Sequence, residues 1–227
     1  MSTTLKTPLF PLVRHLSKFA TPVFMRLPVS ANQITTASLV LGVAAAWCVA
    51  QGNQNQDIAA GVLFVLAYVF DNCDGEIARL KDQCSNFGMR YDSFVDWVVH
   101  TALFAGLGYG VAARLDNDLW YWLGIVAAVG GTINYILGFI LDARDKAAAE
   151  SEEAWEAGKT GETYREPEGL SDWALYIFRE LTRADFCFIV LALAVFDVAW
   201  ILVPAGAIGS QVYWITQFAK GANDFHV

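Results

Sequence analysis

The chain has 227 residues, of which 56% are hydrophobic and only 17% charged, with a mean hydropathy of +0.39, too apolar for an ordinary soluble domain. A formal net charge of -8 and a pI near 4.8 exclude a nucleic-acid binder, because no basic stripe is present to neutralise phosphates. The expected class is an all-α, polytopic membrane protein with six transmembrane helices and an N-terminal interfacial amphipathic helix.

Residues 1–29 form the interfacial segment. Here Leu, Phe and Val alternate with Lys6, Arg14, His15, Lys18 and Arg26, and Pro8, Pro11 and Pro22 interrupt any long span. No leader with a cleavage site is read in this stretch, so insertion is expected to use the first membrane helix. Residues 30–227 form the transmembrane unit. Ser30 or Asn32 is the expected N-cap of a first span from Ile34 to about Ala50. Further apolar runs lie at about 57–79, 91–113, 119–142, 184–203 and 205–220, with Pro204 separating the last two.

Lys and Arg alternate between the ends of these spans: four precede the first span, three lie between Arg79 and Arg90, and six between Arg144 and Arg183. The bias predicts an integral membrane protein with both termini, the 79–90 turn and a loop at 143–178 in the cytoplasm; in a bacterium this means the plasma (inner) membrane. Seven Glu between Glu150 and Glu168 make that loop solvated. Cys48, Cys73, Cys84 and Cys187 have neither zinc-ligand nor disulfide-framework spacing. Gly106, Gly108, Gly110, Gly130 and Gly131 suggest close helix approach, and a homodimer through such faces is a further expectation.

One stretch conflicts with its apolar surroundings. Asp71 and Asp74 fall at the end of the second span, and Asp92 and Asp96 at the start of the third. A charge inside a span costs about 2.5–3.5 kcal/mol on insertion scales, so four at one depth imply a function. At 100° per residue, Asp71, Asp74, Gly75 and Ala78 share one helix face, while Gly88, Asp92 and Asp96 share another. Carboxylates converging across such a hairpin suit Mg2+ or Mn2+, one ion or two, and small residues beside them leave room for a ligand.

The pattern D-x2-D-G-x2-A-R-x8-G-x3-D-x3-D, filled by Asp71, Asp74, Gly75, Ala78, Arg79, Gly88, Asp92 and Asp96, resembles the motif of the CDP-alcohol phosphotransferase family. The stretch "PVSANQIT" before the first span and the six-span layout are also similar to that family. The resemblance implies transfer of a substituted phosphate from a CDP-linked lipid donor, such as CDP-diacylglycerol, to a small polar alcohol acceptor, with release of CMP. It implies that Asp71, Asp74 and Asp92 hold divalent ions, with Asp96 as a further ligand or as the base, so that Asp92 and Asp96 carry the catalysis. Asp74, Gly75, Ala78, Arg79 and Gly88 would line the nucleotide pocket.

Arg179 and Arg183 before the fifth span, with Lys146 or Arg144 after the fourth, are candidates for a basic pocket that takes an acceptor phosphate; interfacial anchoring is the alternative reading of these cations. His100 reads as a hydrogen-bonded packing residue, Glu76 as solvent-exposed, and Asp185 as a partner of Arg183 or Lys220. Asp197 falls in the outer half of the fifth span without a nominated partner. A cation- or proton-coupled transporter using the same carboxylates is the competing function, but it would place them near the midplane of paired half-repeats.

Overall fold

The computed structural model describes residues 11–149 and 185–223, and within these every regular element is helical. In chain order they are α1 (Val13–Arg26), α2 (Ala31–Val49), α3 (Gln54–Leu80), α4 (Asn86–Leu115), α5 (Asp118–Ala149), α6 (Phe186–Val195), a 3-10 turn (Ala199–Ile201) and α7 (Leu202–Asn223). Four helices, α2 to α5, are long and apolar enough to cross a membrane, and α6 and α7 contribute shorter apolar lengths. The chain is an integral membrane protein.

Local chemistry sets the helix ends. Ser30, not Asn32, caps α2 through a reciprocal capping box with Gln33. Asn53 and Ser85 cap α3 and α4, each accepting a hydrogen bond from the backbone N–H three residues on. Between α2 and α3 the chain turns at Gly52, whose φ of +65° and contact with the Gly110 carbonyl leave no place for a side chain. The α3–α4 turn passes through Asp82 (φ 54°), and α4 ends on Asp116 (φ 49°), a residue type that tolerates the left-handed region.

Helix α1 packs on α3 through Val13, Ser17 and Thr21, a stripe at four-residue spacing, while Phe19 on the other side is 80% exposed. This is the expected amphipathic element, although it carries Pro22 inside rather than ending there. Helix α2 packs between α3 and α4, α4 against α5, α5 against α7, and α6 against α3. Glycines permit the closest of these approaches. A methyl group at Gly106 would lie 2.5 Å from the Ala46 carbonyl oxygen, one at Gly108 would lie 2.7 Å from the Gly124 Cα, and one at Gly130 would strike Gln211 and Ser210. Gly131, in contrast, has only ordinary van der Waals contact. The faces that carry Gly106, Gly108 and Gly130 are thus occupied by neighbouring helices of the same chain.

Several expectations need correction. The last two spans part at 196–198, before the 3-10 turn, and not at Pro204, which lies in the first turn of α7, where a missing N–H costs nothing. Asp197 sits in that break with φ 61° and is paired with Arg114 through both guanidinium N–H groups, at 2.8 and 2.7 Å. Helix α5 continues past 142 to Ala149, into the region expected as loop. Glu76 is half-buried against α1 and accepts hydrogen bonds from Ser17 and Thr21. Asp185, fully buried, accepts from the backbone N–H groups of Leu12 (2.6 Å) and Val13 (2.9 Å), serving as an external cap for α1. Its expected partner Arg183 and the side chain of Lys220 lie outside the described residues, as do Arg179 and most of the 143–178 loop.

Candidate metal and nucleotide site

The last turns of α3 and the first turns of α4 face each other because the connecting turn is stitched down. The Lys81 ammonium donates to the carbonyls of Phe24, Leu27 and Val29 at 3.2, 3.0 and 2.9 Å, clasping the α1–α2 linker. Gln83 accepts from the Ala31 N–H at 2.8 Å and so fixes the start of α2 over the same turn. Lys81 is therefore a structural clasp, and the α2 N-terminus becomes one wall of the site.

Across this junction Asp71 and Asp74 of α3 meet Asp92 of α4, with one carboxylate oxygen of each within 4.8 Å of the others. Asp71 Oδ1, Asp74 Oδ2 and Asp92 Oδ1 are buried and have no hydrogen-bond partner. Two unit charges 4.8 Å apart repel by about 3.5 kcal/mol at an effective dielectric of about 20, before any cost of leaving water. Three such pairings rival the stability of a whole domain, so the cluster, when ionised, needs a countercharge. Orphaned oxygens converging from two helices are the donor set that a hard divalent cation takes, and the residues present fit one.

Beside the cluster opens a cavity of about 620 Å3, lined by Asp74, Gly75, Ala78, Arg79, Gly88 and Asp92. All five residues expected to contact a nucleotide therefore share one cavity. A side chain at Gly75 would grow toward the Arg79 guanidinium, 3.5 Å from the new Cβ, and one at Gly88 would press on Ser85 Oγ (3.2 Å) and Asn32 Oδ1 (3.3 Å). The first turn of α4, with Ser85, Asn86 and Gly88, also borders this space, so a helix N-terminus and a guanidinium both favour a bound anion there.

Ala31, Asn32, Thr35 and Gln83 also line it and were not singled out from sequence as site residues. The signal for the first three was present in "SANQIT", which was read as a helix start and as part of the family resemblance, without a site role for its residues.

Asp96 is placed differently from the other three. It lines a separate cavity of about 350 Å3 on another side of α4, with Trp97, His100, Asn134 and Tyr135. His100 Nδ1 lies 2.7 Å from the Asp96 carbonyl oxygen and must donate to it; Nε2, 2.7 Å from the Tyr68 hydroxyl, is then the acceptor. Both ring nitrogens are engaged, so His100 braces α4 against α3, as a packing residue should. Trp97 stacks on Tyr135 with ring centroids 5.1 Å apart and donates to Thr132 Oγ1 at 3.1 Å. Asn134 Oδ1 is buried in this region without a partner.

Comparison with known proteins places these observations in a family. The profile of the CDP-alcohol phosphatidyltransferase family matches residues 28–209, which include all four aspartates and the whole described cavity. A protein of Thermococcus kodakarensis named bifunctional IPC transferase and DIPP synthase is 30% identical over 105 residues, covering 46% of this chain and 23% of the relative. The protein of the same name from Rubrobacter xylanophilus is 31% identical over 94 residues, 41% of this chain and 21% of its own. The matched stretch thus spans less than a quarter of either relative.

Proposed function

Because the chain belongs to the CDP-alcohol phosphatidyltransferase family, whose members are transferases of substituted phosphate groups, we propose that it moves a phosphatidyl or similar group from a CDP-linked donor to an alcohol, releasing CMP. CDP-diacylglycerol is the donor we favour, since a site at the end of two spans lets acyl chains stay in the bilayer while the head group reaches the aspartates. The observation that carries the reading is the set of three converging, unpartnered carboxylates, two of which, Asp74 and Asp92, line a cavity shaped by Gly75, Ala78 and Gly88.

In this reading Asp71, Asp74 and Asp92 hold Mg2+ or Mn2+, which when bound offsets the charge of the diphosphate and of the departing CMP. The cytidine and its phosphate occupy the 620 Å3 cavity, with Arg79 and the α4 N-terminus on the phosphate. The acceptor alcohol lies in the cavity beside Asp96, where Asn134 supplies an unspent acceptor oxygen. Asp96 takes the hydroxyl proton as the acceptor oxygen bonds to phosphorus, and the bond from that phosphorus to the bridging oxygen breaks, its electron pair leaving on CMP. Asp96 is not one of the three carboxylates that converge within 4.8 Å and borders a different cavity, which supports the base role over that of a further ligand. Arg179 and Arg183 stay candidates for a phosphorylated acceptor. We place the site on the cytoplasmic face, following the Lys and Arg bias.

The test is direct. Purified protein is incubated with labelled CDP-diacylglycerol, a panel of polar alcohols, and Mg2+ or Mn2+, and CMP is measured. Release that requires both an alcohol and a divalent ion, and stops on chelation, is the expected result. Absence of CMP with every alcohol and every CDP-linked donor, accompanied by ion flux in liposomes, would favour the transporter.

A further inference from the structure

A second buried charge lies at the other end of α3. Asp57, in the first turn of that helix, is only 6% exposed, and its Oδ1 has no hydrogen-bond partner. It lines a cavity of about 350 Å3 together with Gly52, Arg114, Trp120, Asp197 and Trp200. Asp57 and Asp71 are 14 positions apart on one continuous helix, about 21 Å at 1.5 Å per residue. This cavity therefore opens at the membrane face opposite the aspartate cluster and has no part in the transfer reaction.

The charges in it do not cancel. Arg114 commits the fork of its guanidinium to Asp197, and the left-handed backbone of Asp197 holds that carboxylate in place. Asp57 is then the surplus negative charge, facing a wall built by Trp120 and Trp200, whose rings meet edge to face at 5.7 Å. One free carboxylate is too few oxygens for a divalent metal, which requires about six. A carboxylate beside indole rings is the environment that takes an ammonium group.

We propose that this cavity binds a primary or quaternary ammonium group, either the head group of a zwitterionic lipid from that leaflet or a small free amine. Trp120 and Trp200 are suited to the head-group level, where tryptophans concentrate. The carboxylate supplies the countercharge, and the indole rings supply a surface that a hydrated alkali ion cannot exploit.

Two arms test this on the full-length protein. In nanodiscs of phosphatidylglycerol doped with phosphatidylethanolamine, native mass spectrometry should show retention of the ethanolamine lipid, by about fivefold over its share of the mixture. Asp57→Asn, which keeps the shape and removes the charge, should abolish that preference while leaving CMP release unchanged. In detergent, ethanolamine or tetramethylammonium should raise the wild-type melting temperature more than equal sodium chloride does. Stabilisation confined to the lipid arm assigns a lipid head group, and stabilisation by the free amine assigns a soluble ligand. Equal retention by wild type and Asp57→Asn, or equal stabilisation by sodium, overturns the proposal. If Asp57→Asn does not fold, Trp200→Leu serves instead: retention should fall by at least about half, and unchanged retention overturns it.

Discussion

Two groups of acidic residues lie close together near one end of α3, and the fold treats them in opposite ways. Glu76 and Asp185 face α1 and are satisfied, the first by the hydroxyls of Ser17 and Thr21, the second by the N–H groups of Leu12 and Val13. Asp71 and Asp74 face Asp92 of α4 across the helix junction, and each of the three keeps a buried oxygen without a donor. Glu76 lies only two positions after Asp74, so residue type and depth do not separate the groups. What separates them is the helix each one faces. Carboxylates that complete a helix interface are supplied with hydrogens by the protein, whereas carboxylates meant for a ligand are left without them.

The contrast can be broken most sharply by swapping charge for amide on each side. Asp92→Asn and Asp71→Asn should cut CMP release by about 10^3-fold or more, because each removes charge at the point where the diphosphate must be neutralised. Glu76→Gln should leave the rate within about tenfold, since the amide oxygen still accepts from one of the two hydroxyls and the amide N–H can donate to the other. Comparable losses in both would mean that the two groups do not differ in role. Initial rates under saturating donor decide it.

A smaller effect is expected on stability. Asp185→Ala leaves the first N–H groups of α1 buried without acceptors, which should cost about 1–3 kcal/mol, read as a lower denaturation midpoint in detergent. The surviving folded fraction should retain its kcat. If kcat falls instead with no change in midpoint, Asp185 belongs with the site carboxylates.

The smallest effect concerns the far end of the bundle. Hydrogen bonding to Arg114 holds the Asp197 carboxyl below its usual range. A depressed carboxyl stabilises the fold above its unfolded pKa of about 3.9, and that contribution disappears as the pH falls through the folded value. Unfolding midpoints measured from neutral to acid pH should therefore drop less steeply on the acid side in Asp197→Asn than in wild type. Parallel curves would show that the ion pair contributes no measurable stability, as many exposed pairs do not.

Much of the architecture was legible in the chain itself. Apolar runs predicted α2 to α5 to within a few residues at most ends, because hydrocarbon thickness demands a minimum helix length. The motif from Asp71 to Asp92 was equally legible, since helical spacing alone puts its members on facing sides of two neighbouring helices. Less visible were the break at Asp197, which follows from an ion pair to a residue 83 positions away, and the burial of Glu76, whose partners are 55 and 59 positions distant. Pro204 misled for a related reason: the same residue ends one helix or begins the next, depending on where the preceding turn closes.

The amino-acid order by itself determined that this chain forms membrane-crossing helices and that acidic side chains recur on α3 and α4 at helical intervals, because both follow from periodicity and length. Only the tertiary structure decided which acids are quenched and which stay unsatisfied. Their donors, where they exist, arrive from α1 and from the backbone of remote segments, and Asp96 is turned into its own cavity by the packing of α4 against α5. A hydrogen-bond partner is a property of the neighbour that folding brings alongside, and local sequence carries no record of it.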